Sequence, residues 1–290
     1  MVRKCEKNAA ANWDRFYKRH EDRFFHNRNW TDREFQALKE VSSSSVGGGG
    51  GNSGTTDDLD TDETQALVSG SLLSTSSSQA TPVLLEVGCG VGNMLYPLLE
   101  KVPGLKVHCC DFSSRAVEIV KRHPSYDSER VNAFVHDLVQ PSPTLDAVLA
   151  GHPFGAPTLV SLIFVLSAIP PGEQVRVLLS LFSLLQPGGT LLFRDYARGD
   201  LAQLRFHSKE KWAEPCLLSG EHDYYKRGDG TMSFFFSEEY VKGTLGAALR
   251  EAGGEVESEE VKVVERIGVN RKRGIELKRK FIQGVWRKKG

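Results

Sequence analysis

The stretch LLEVGCGVGN, residues 84–93, decides how this chain folds. An apolar run from Val83 to Val87 stops at glycine, as a buried parallel strand does where it meets a tight turn. Glycines stand at 88, 90 and 92, Asn93 follows them, and Glu86 precedes them. A dinucleotide fingerprint would read G-x-G-x-x-G, its third glycine opening a helix. Here the spacing is E-x-G-x-G-x-G. The physical difference is charge: a pyrophosphate belongs at a helix N-terminus, whereas an acid beside the loop suits a ligand carrying positive charge. A glycine turn alone is a weak pattern, so its meaning depends on what surrounds it.

Strand and helix alternate on both sides of this turn. A strand is expected from Leu105 to Cys110, ending at Asp111, with Ser113 as the N-cap of a helix in SSRAVEIVKRH. Another runs from Val131 to Val135 and ends in HDL. The very apolar TLVSLIFVL (158–166) reads as a strand, followed by a helix over 172–186. PGG (187–189) turns the chain into the strand TLLFRDY (190–196). A helix over 237–253 ends at Gly253 and Gly254. Two late strands, EVESEEVKVVER and IELKRKFIQGVW, flank the turn GVNRKRG as an antiparallel edge hairpin. This pattern predicts a doubly wound, mostly parallel sheet, seven-stranded and Rossmann-like. Ligands in such sheets sit beyond the carboxyl ends of the strands. Gly88, Asp111, Asp137, the 163–168 segment, Asp195 and Tyr196 all fall there.

Asp111 is placed to bridge the two hydroxyls of a ribose. Asp137 is placed to accept a hydrogen bond from an adenine amine. Phe112 and Leu138 follow these acids, Gly90 completes the loop, and Glu86 organises it. Together these features predict a cofactor with an adenosine half. The E-x-G-x-G-x-G spacing resembles the first motif of class I S-adenosylmethionine-dependent methyltransferases, which makes S-adenosyl-L-methionine the expected cofactor.

A closer resemblance lies in NWDRFYKRHEDRFFHNRNW, LLEVGCGVGN, CDFSSRAVEIVK, LIFVLSAIPP, LLFRDYARGDLAQLRF and YYKRGDGTMSFFFSEE. Together they look like the transfer RNA 3-methylcytidine methyltransferases of the methyltransferase-like family. The match runs from residue 8 to the C-terminus, broken mainly at 42–80. In that family the N-terminal arm folds over the cofactor, so the resemblance carries cofactor contact onto Trp13 and Tyr17, and also onto Gly88, Asp111, Asp137 and Ile163. It implies transfer RNA as partner and cytidine 32 of the anticodon loop as target. An aminoacyl-tRNA synthetase or another accessory protein is a further partner left open. The family usually has Asp-Val-Val before LIFVLSA; here T-L-V stands at 158–160, after GHPFGAP.

The chemistry of methyl transfer to a base narrows the roles. No D/N-P-P-Y/F motif for an exocyclic amine is present. Ring N3 of cytosine has an in-plane lone pair and no proton to remove, so no general base is required, and His136 is read as structural. The product base is a cation, so the useful groups are a stacking aromatic, a partner for the base edge and an acid. In RDYARGDLAQLRF, Asp195 supplies charge, Tyr196 stacking, and Arg194 and Arg205 the base edge or phosphate. Phe25 and Arg28 of the arm close the other side. A base within a duplex is out of reach, which favours unpaired or flipped substrates.

Composition sets the outer bounds. The chain has 290 residues and no net charge. No Lys or Arg occurs from Val41 to Leu85, whereas the C-terminal end is basic, with Arg271, Lys272, Arg273, Lys278, Arg279 and Lys280 suited to phosphates. Residues 1–41 form an aromatic and basic arm, 42–80 a Ser/Gly-rich acidic insert expected to be disordered, and 81–290 the methyltransferase domain. Cysteines at 5, 89, 109, 110 and 216 lack metal or disulfide spacing, which predicts no metal and a reducing compartment. The start lacks a signal peptide and no run spans a membrane. A cytoplasmic location is expected, with the nucleus also open to it. Two rival functions stay open on the residues: a methyltransferase for small molecules or proteins, and a silent cofactor-binding scaffold.

Overall fold

The computed structural model describes residues 2–24, 27–28, 82–140, 142–207, 217–219, 223–251, 255–270 and 275–290. The 42–80 insert, Phe25, and Arg271, Lys272 and Arg273 lie outside these residues. In chain order the strands are β1 (Val83–Val87), β2 (Lys106–Asp111), β3 (Val131–Val135), β4 (Leu159–Ile163), β5 (Thr190–Tyr196), β6 (Leu217–Ser219), β7 (Tyr224–Lys226), β8 (Met232–Phe234), β9 (Val256–Asn270) and β10 (Ile275–Lys288). Helices include α1 (Val2–Lys7), α2 (Ala9–His20), α3 (Leu95–Lys101), α4 (Ser114–Arg122), α5 (Leu145–Leu149), α6 (Pro171–Ser183) and α7 (Leu201–His207).

The seven-stranded sheet has the order β3-β2-β1-β4-β5-β10-β9. Its first five strands are parallel, and β10 runs antiparallel to both β5 and β9. The order reverses between β1 and β4, so the glycine loop after β1 lies at the topological switch point, where ligands bind in open α/β sheets. Every residue of β1 and of β4 is buried, because helices cover both faces and strand alternation sends side chains to each. Leu85, Val87, Cys110 and Leu162 pack with Leu178 and Leu181 of α6. Leu84, Val107 and Cys109 pack with Leu95 and Leu98 of α3 and Val117 of α4.

Local chemistry fixes the ends of the elements. Ser113 caps α4, its Oγ accepting from the Ala116 N–H at 3.2 Å. The apolar run 158–166 is not one long strand. β4 stops at Ile163 because Phe164 adopts φ +59, the left-handed region, and a 3-10 turn follows at Leu166–Ala168. Apolarity alone could not reveal that reversal. The helix expected from about Asn93 opens at Leu95, and the 172–186 helix runs Pro171–Ser183. The helical stretch 238–251 contains a π segment, Val241–Gly246. A second sheet, β6-β7-β8, was not expected from the sequence; its strands are only three residues long, too short for alternation to register.

The arm docks across the carboxyl edge of the main sheet. Phe16 and Tyr17 of α2 bury against Val91 and Ala116, each worth on the order of 1.5–3 kcal/mol of transfer energy. Asn12 Nδ2 donates to the Gly230 carbonyl at 2.6 Å, and Ser113 Oγ donates to Asp14 at 2.5 Å. β10 pairs with β5 only over Phe281–Arg287, so its earlier residues, paired with β9, project past the end of β5 over the same edge.

At Gly284 a Cβ would stand 2.2 Å from the Trp286 indole, which is fully buried. Gly284→Ala is expected to lower stability by about 1–3 kcal/mol through overpacking. Thermal unfolding checks this, and an unchanged midpoint would show that the indole moves freely.

Candidate functional site

The loops after β1, β2, β3 and β4 converge under α1 and α2 around a cavity of about 380 Å³, within the usual range for small-molecule sites. Its wall includes Trp13, Tyr17, Gly88, Asp111, Phe112, Asp137 and Leu138, all singled out in the sequence. Phe164, Val165 and Ala168, from the 163–168 segment expected at this edge, also line it, and Ile169 together with Met232 of β8, which the sequence reading missed, complete it. Phe164 falls within that segment, but its individual role was not read from the sequence.

Glycine is required where the loop meets its cover. Gly88 has φ +63, and a Cβ there would stand 2.4 Å from Val165. At Gly90, φ is +54 and a Cβ would meet the Tyr17 hydroxyl at 2.9 Å. The loop is held from below by Asp111, whose carboxylate accepts from the N–H groups of Gly90 at 3.0 Å and Ser113 at 2.9 Å. Burial pushes Asp111 up to about 6, while the N–H groups of Ser113 and Gly90 oppose the shift. Each oxygen has taken one N–H and has capacity for a second donor. Asp137 accepts from the Val139 N–H at 3.0 Å and faces the cavity beside His136, which burial pushes down from the usual imidazole range. His136 also lines the cavity.

Three residues expected at the cofactor lie off the wall of this cavity. The side chains of Glu86 and Ile163 do not line the cavity, because alternation turns them to the other face of the sheet while Val87 and Cys110 face it. Glu86 is buried between β2 and β4, one oxygen has no hydrogen-bond partner among the described residues, and burial raises it to about 8 against the opposing charge of Arg28. Ile163 offers its carbonyl to Arg28 Nη1 at 3.2 Å. Gly90 serves through its N–H to Asp111 rather than as wall.

Beside the cavity lies a cluster of aromatic rings and guanidinium groups. Phe164 is shared: it lines the cavity and its ring centroid is 5.0 Å from that of Tyr196. Arg28 lies over Phe164 at 5.5 Å and Arg194 over Phe281 at 4.6 Å. Arg194 is 3 % exposed, packed into the sheet away from the cavity wall. Asp195 is fully buried; its oxygens accept from the N–H groups of Ser167 and Tyr196, both at 2.9 Å. Burial pushes it up to about 6, with the Ser167 hydrogen bond opposing. Asp195, expected to supply charge beside a base, has no exposed surface here and ties the 164–168 turn to β5 through the Ser167 N–H.

The basic residues of β10 divide by strand alternation. Lys278 is exposed on one face of the ribbon. Lys280 pairs with Glu265 at 3.7 Å. Arg279 points the other way, toward Tyr196 and Phe281. They are not one patch. Arg205 is exposed on α7. Among the described residues no group of His, Cys, Asp or Glu could hold a metal ion, and no helix is long and apolar enough to cross a membrane.

The sheet order, the acid-flanked glycine loop and the strand-end acids define a class I methyltransferase. A family model for a methyltransferase domain matches residues 85–191. A solved S-adenosylmethionine-dependent methyltransferase from Anabaena variabilis shares the fold, with a TM-score of 0.50 over 72 % of this chain and 77 % of that one at 17 % identity. The tRNA N(3)-methylcytidine methyltransferase trm141 of Schizosaccharomyces pombe is 38 % identical over 288 residues, 99 % of this chain and 95 % of the relative. The tRNA N(3)-cytidine methyltransferase METTL6 of Mus musculus is 39 % identical over 285 residues, 98 % of this chain and 83 % of the relative. The chain belongs to the tRNA N(3)-methylcytidine methyltransferase family, and its cofactor is S-adenosylmethionine.

Two outcomes follow for the cofactor. Affinity for S-adenosylhomocysteine is expected to be full above about pH 6 and to fall as pH drops through that value, because protonation of Asp111 removes acceptor capacity. Calorimetry across this interval checks it, and a flat profile would contradict the ribose role. Gly90→Ala should weaken the same affinity by displacing Tyr17 and straining the loop, on the order of 1–3 kcal/mol.

Proposed function

We propose that this protein forms 3-methylcytidine in transfer RNA by in-line methyl transfer to cytosine N3, and that the target is position 32 of the anticodon loop. The observation that carries the reading is Phe164, one residue forming both the cavity wall and the edge of an aromatic cluster. A cofactor cavity that opens onto rings and guanidinium groups suits a planar base presented on a phosphate chain. The full-length likeness to the fission yeast and mouse relatives supports the same substrate.

When bound, S-adenosylmethionine supplies an electrophilic methyl on a sulfonium. Asp111 would hold its ribose, Asp137 its adenine, and Trp13 and Tyr17 cover it. The chain's remaining work is alignment and exclusion of water, since the acceptor nitrogen carries no proton. Phe164 and Tyr196 provide aromatic walls for the base. Asp195 holds the turn that carries Phe164, through the Ser167 N–H. Arg28, anchored to the Ile163 carbonyl, closes the arm side, and Arg205 and Lys278 contribute exposed charge for the RNA backbone.

Nucleoside mass spectrometry on transfer RNA incubated with the protein and isotopically labelled cofactor tests the reading. Labelled 3-methylcytidine at position 32 is expected; label only elsewhere, or none, would contradict it. The same reaction run with and without an aminoacyl-tRNA synthetase decides whether an accessory protein takes part. Tyr196→Ala should slow single-turnover methylation by about tenfold, the scale of one lost stacking contact. Cofactor affinity should hardly change, because Tyr196 does not line the cavity.

A further inference from the structure

We propose that Arg227 and Arg279 form a subsite for a backbone phosphate adjoining the base that is methylated. This inference rests on the reading of the chain as an RNA methyltransferase. It makes the substrate a polynucleotide, held by a phosphodiester as well as by its base.

The two guanidinium groups come from different elements and meet at one ring. Arg279 of β10 lies 5.8 Å from the Tyr196 centroid, and Arg227, in the turn between β7 and β8, lies 5.7 Å from it. Arg279 is fixed by Asp200, with Nε at 3.0 Å from one carboxylate oxygen and Nη2 at 3.3 Å from the other. Asp200 is itself immobile: it is fully buried and also accepts the N–H groups of Lys280 and Ala202, each at 2.8 Å. About a third of the Arg279 side chain (35 %) remains open to solvent. Arg227 donates to the Ser233 hydroxyl at 3.0 Å and the Met232 carbonyl at 3.4 Å, both neutral, and forms no ion pair among the described residues.

Charge and position point to the same ligand. Asp200 offsets Arg279, and the Asp195 carboxylate bears on Arg227. The surplus positive charge at this corner comes from two further guanidinium groups, Arg28 over Phe164 and Arg194 over Phe281. Planar guanidinium forks match the paired oxygens of a phosphodiester, and the ring of Tyr196 favours the cations by its negative face. Met232, which holds Arg227, also lines the cofactor cavity. An anion bound here would lie on the side of the cavity where Phe164 meets Tyr196.

The test uses full-length transfer RNA assembled by ligation, in which the phosphodiesters flanking the target cytidine are replaced one at a time by uncharged methylphosphonates. Binding is measured with S-adenosylhomocysteine present, and methylation of the unmodified RNA is measured in parallel. One replacement is expected to weaken wild-type binding on the order of tenfold, the scale of a charge-assisted contact. The same replacement should cost Arg227→Gln almost nothing, because its partner is already gone. Arg279→Gln removes the cation that offsets the buried Asp200 carboxylate and is expected to destabilise the fold, so Arg279→Lys serves as the second variant; it keeps the charge and should retain part of the discrimination. The inference is overturned if neither replacement weakens wild-type binding, or if each costs wild type and Arg227→Gln equally. If the wild-type protein methylates no unmodified RNA, the activity itself is misread and the phosphate subsite falls with it.

Discussion

The carboxyl edge of the sheet depends on one carboxylate. Asp111 holds the Gly90 N–H with one oxygen and the Ser113 N–H with the other, so a single residue ties the glycine loop to the start of α4. Ser113 passes the constraint on: its hydroxyl caps α4 and donates to Asp14, which brings α2 down over the loop. Tyr17 then rests against Gly90, where no side chain would fit. Loop, helix and arm are thus set by one chain of hydrogen bonds. The same residue that shapes the site is the one proposed to hold the ribose, so cofactor recognition would be coupled to the packing of the arm.

A second constraint links cofactor to substrate. Phe164 pays for its place with a backbone conformation uncommon for a bulky side chain. Its N–H bonds to the Arg194 carbonyl at 2.8 Å, and Asp195 secures the turn that follows through Ser167. Strain at a strand end, locked by a buried acid from the neighbouring strand, puts one ring in contact with both compartments. Asp200 plays a similar part farther out, joining α7 to the ribbon and orienting Arg279.

The sequence made the parallel sheet and its switch point legible because buried strands, glycine turns and strand-end acids are local signals. Asp111 and Asp137 followed from topology alone. Glu86 and Ile163 were harder: Glu86 adjoins the loop in sequence and Ile163 came from the family resemblance, but the two-residue period of a strand turns both side chains to the opposite face. The roles of Asp195 and Arg279 turn on three-dimensional partners, Ser167 and Asp200, that no spacing announces. Arg227 escaped notice because β7 and β8 are too short to show a pattern, and what brings their turn to Tyr196 is tertiary packing. The resemblance of the arm to a known family anticipated its docking; physical reading of its aromatic and basic composition alone would have stopped at a packed helix.

The most direct measurement is a crystal structure of the protein with S-adenosylhomocysteine. The ribose hydroxyls should lie within hydrogen-bond distance of the Asp111 carboxylate, the adenine beside Asp137, and the sulfur facing Phe164 beneath a closed α2. An adenosine bound outside this cavity, or bound there with its ribose away from Asp111, would contradict the account.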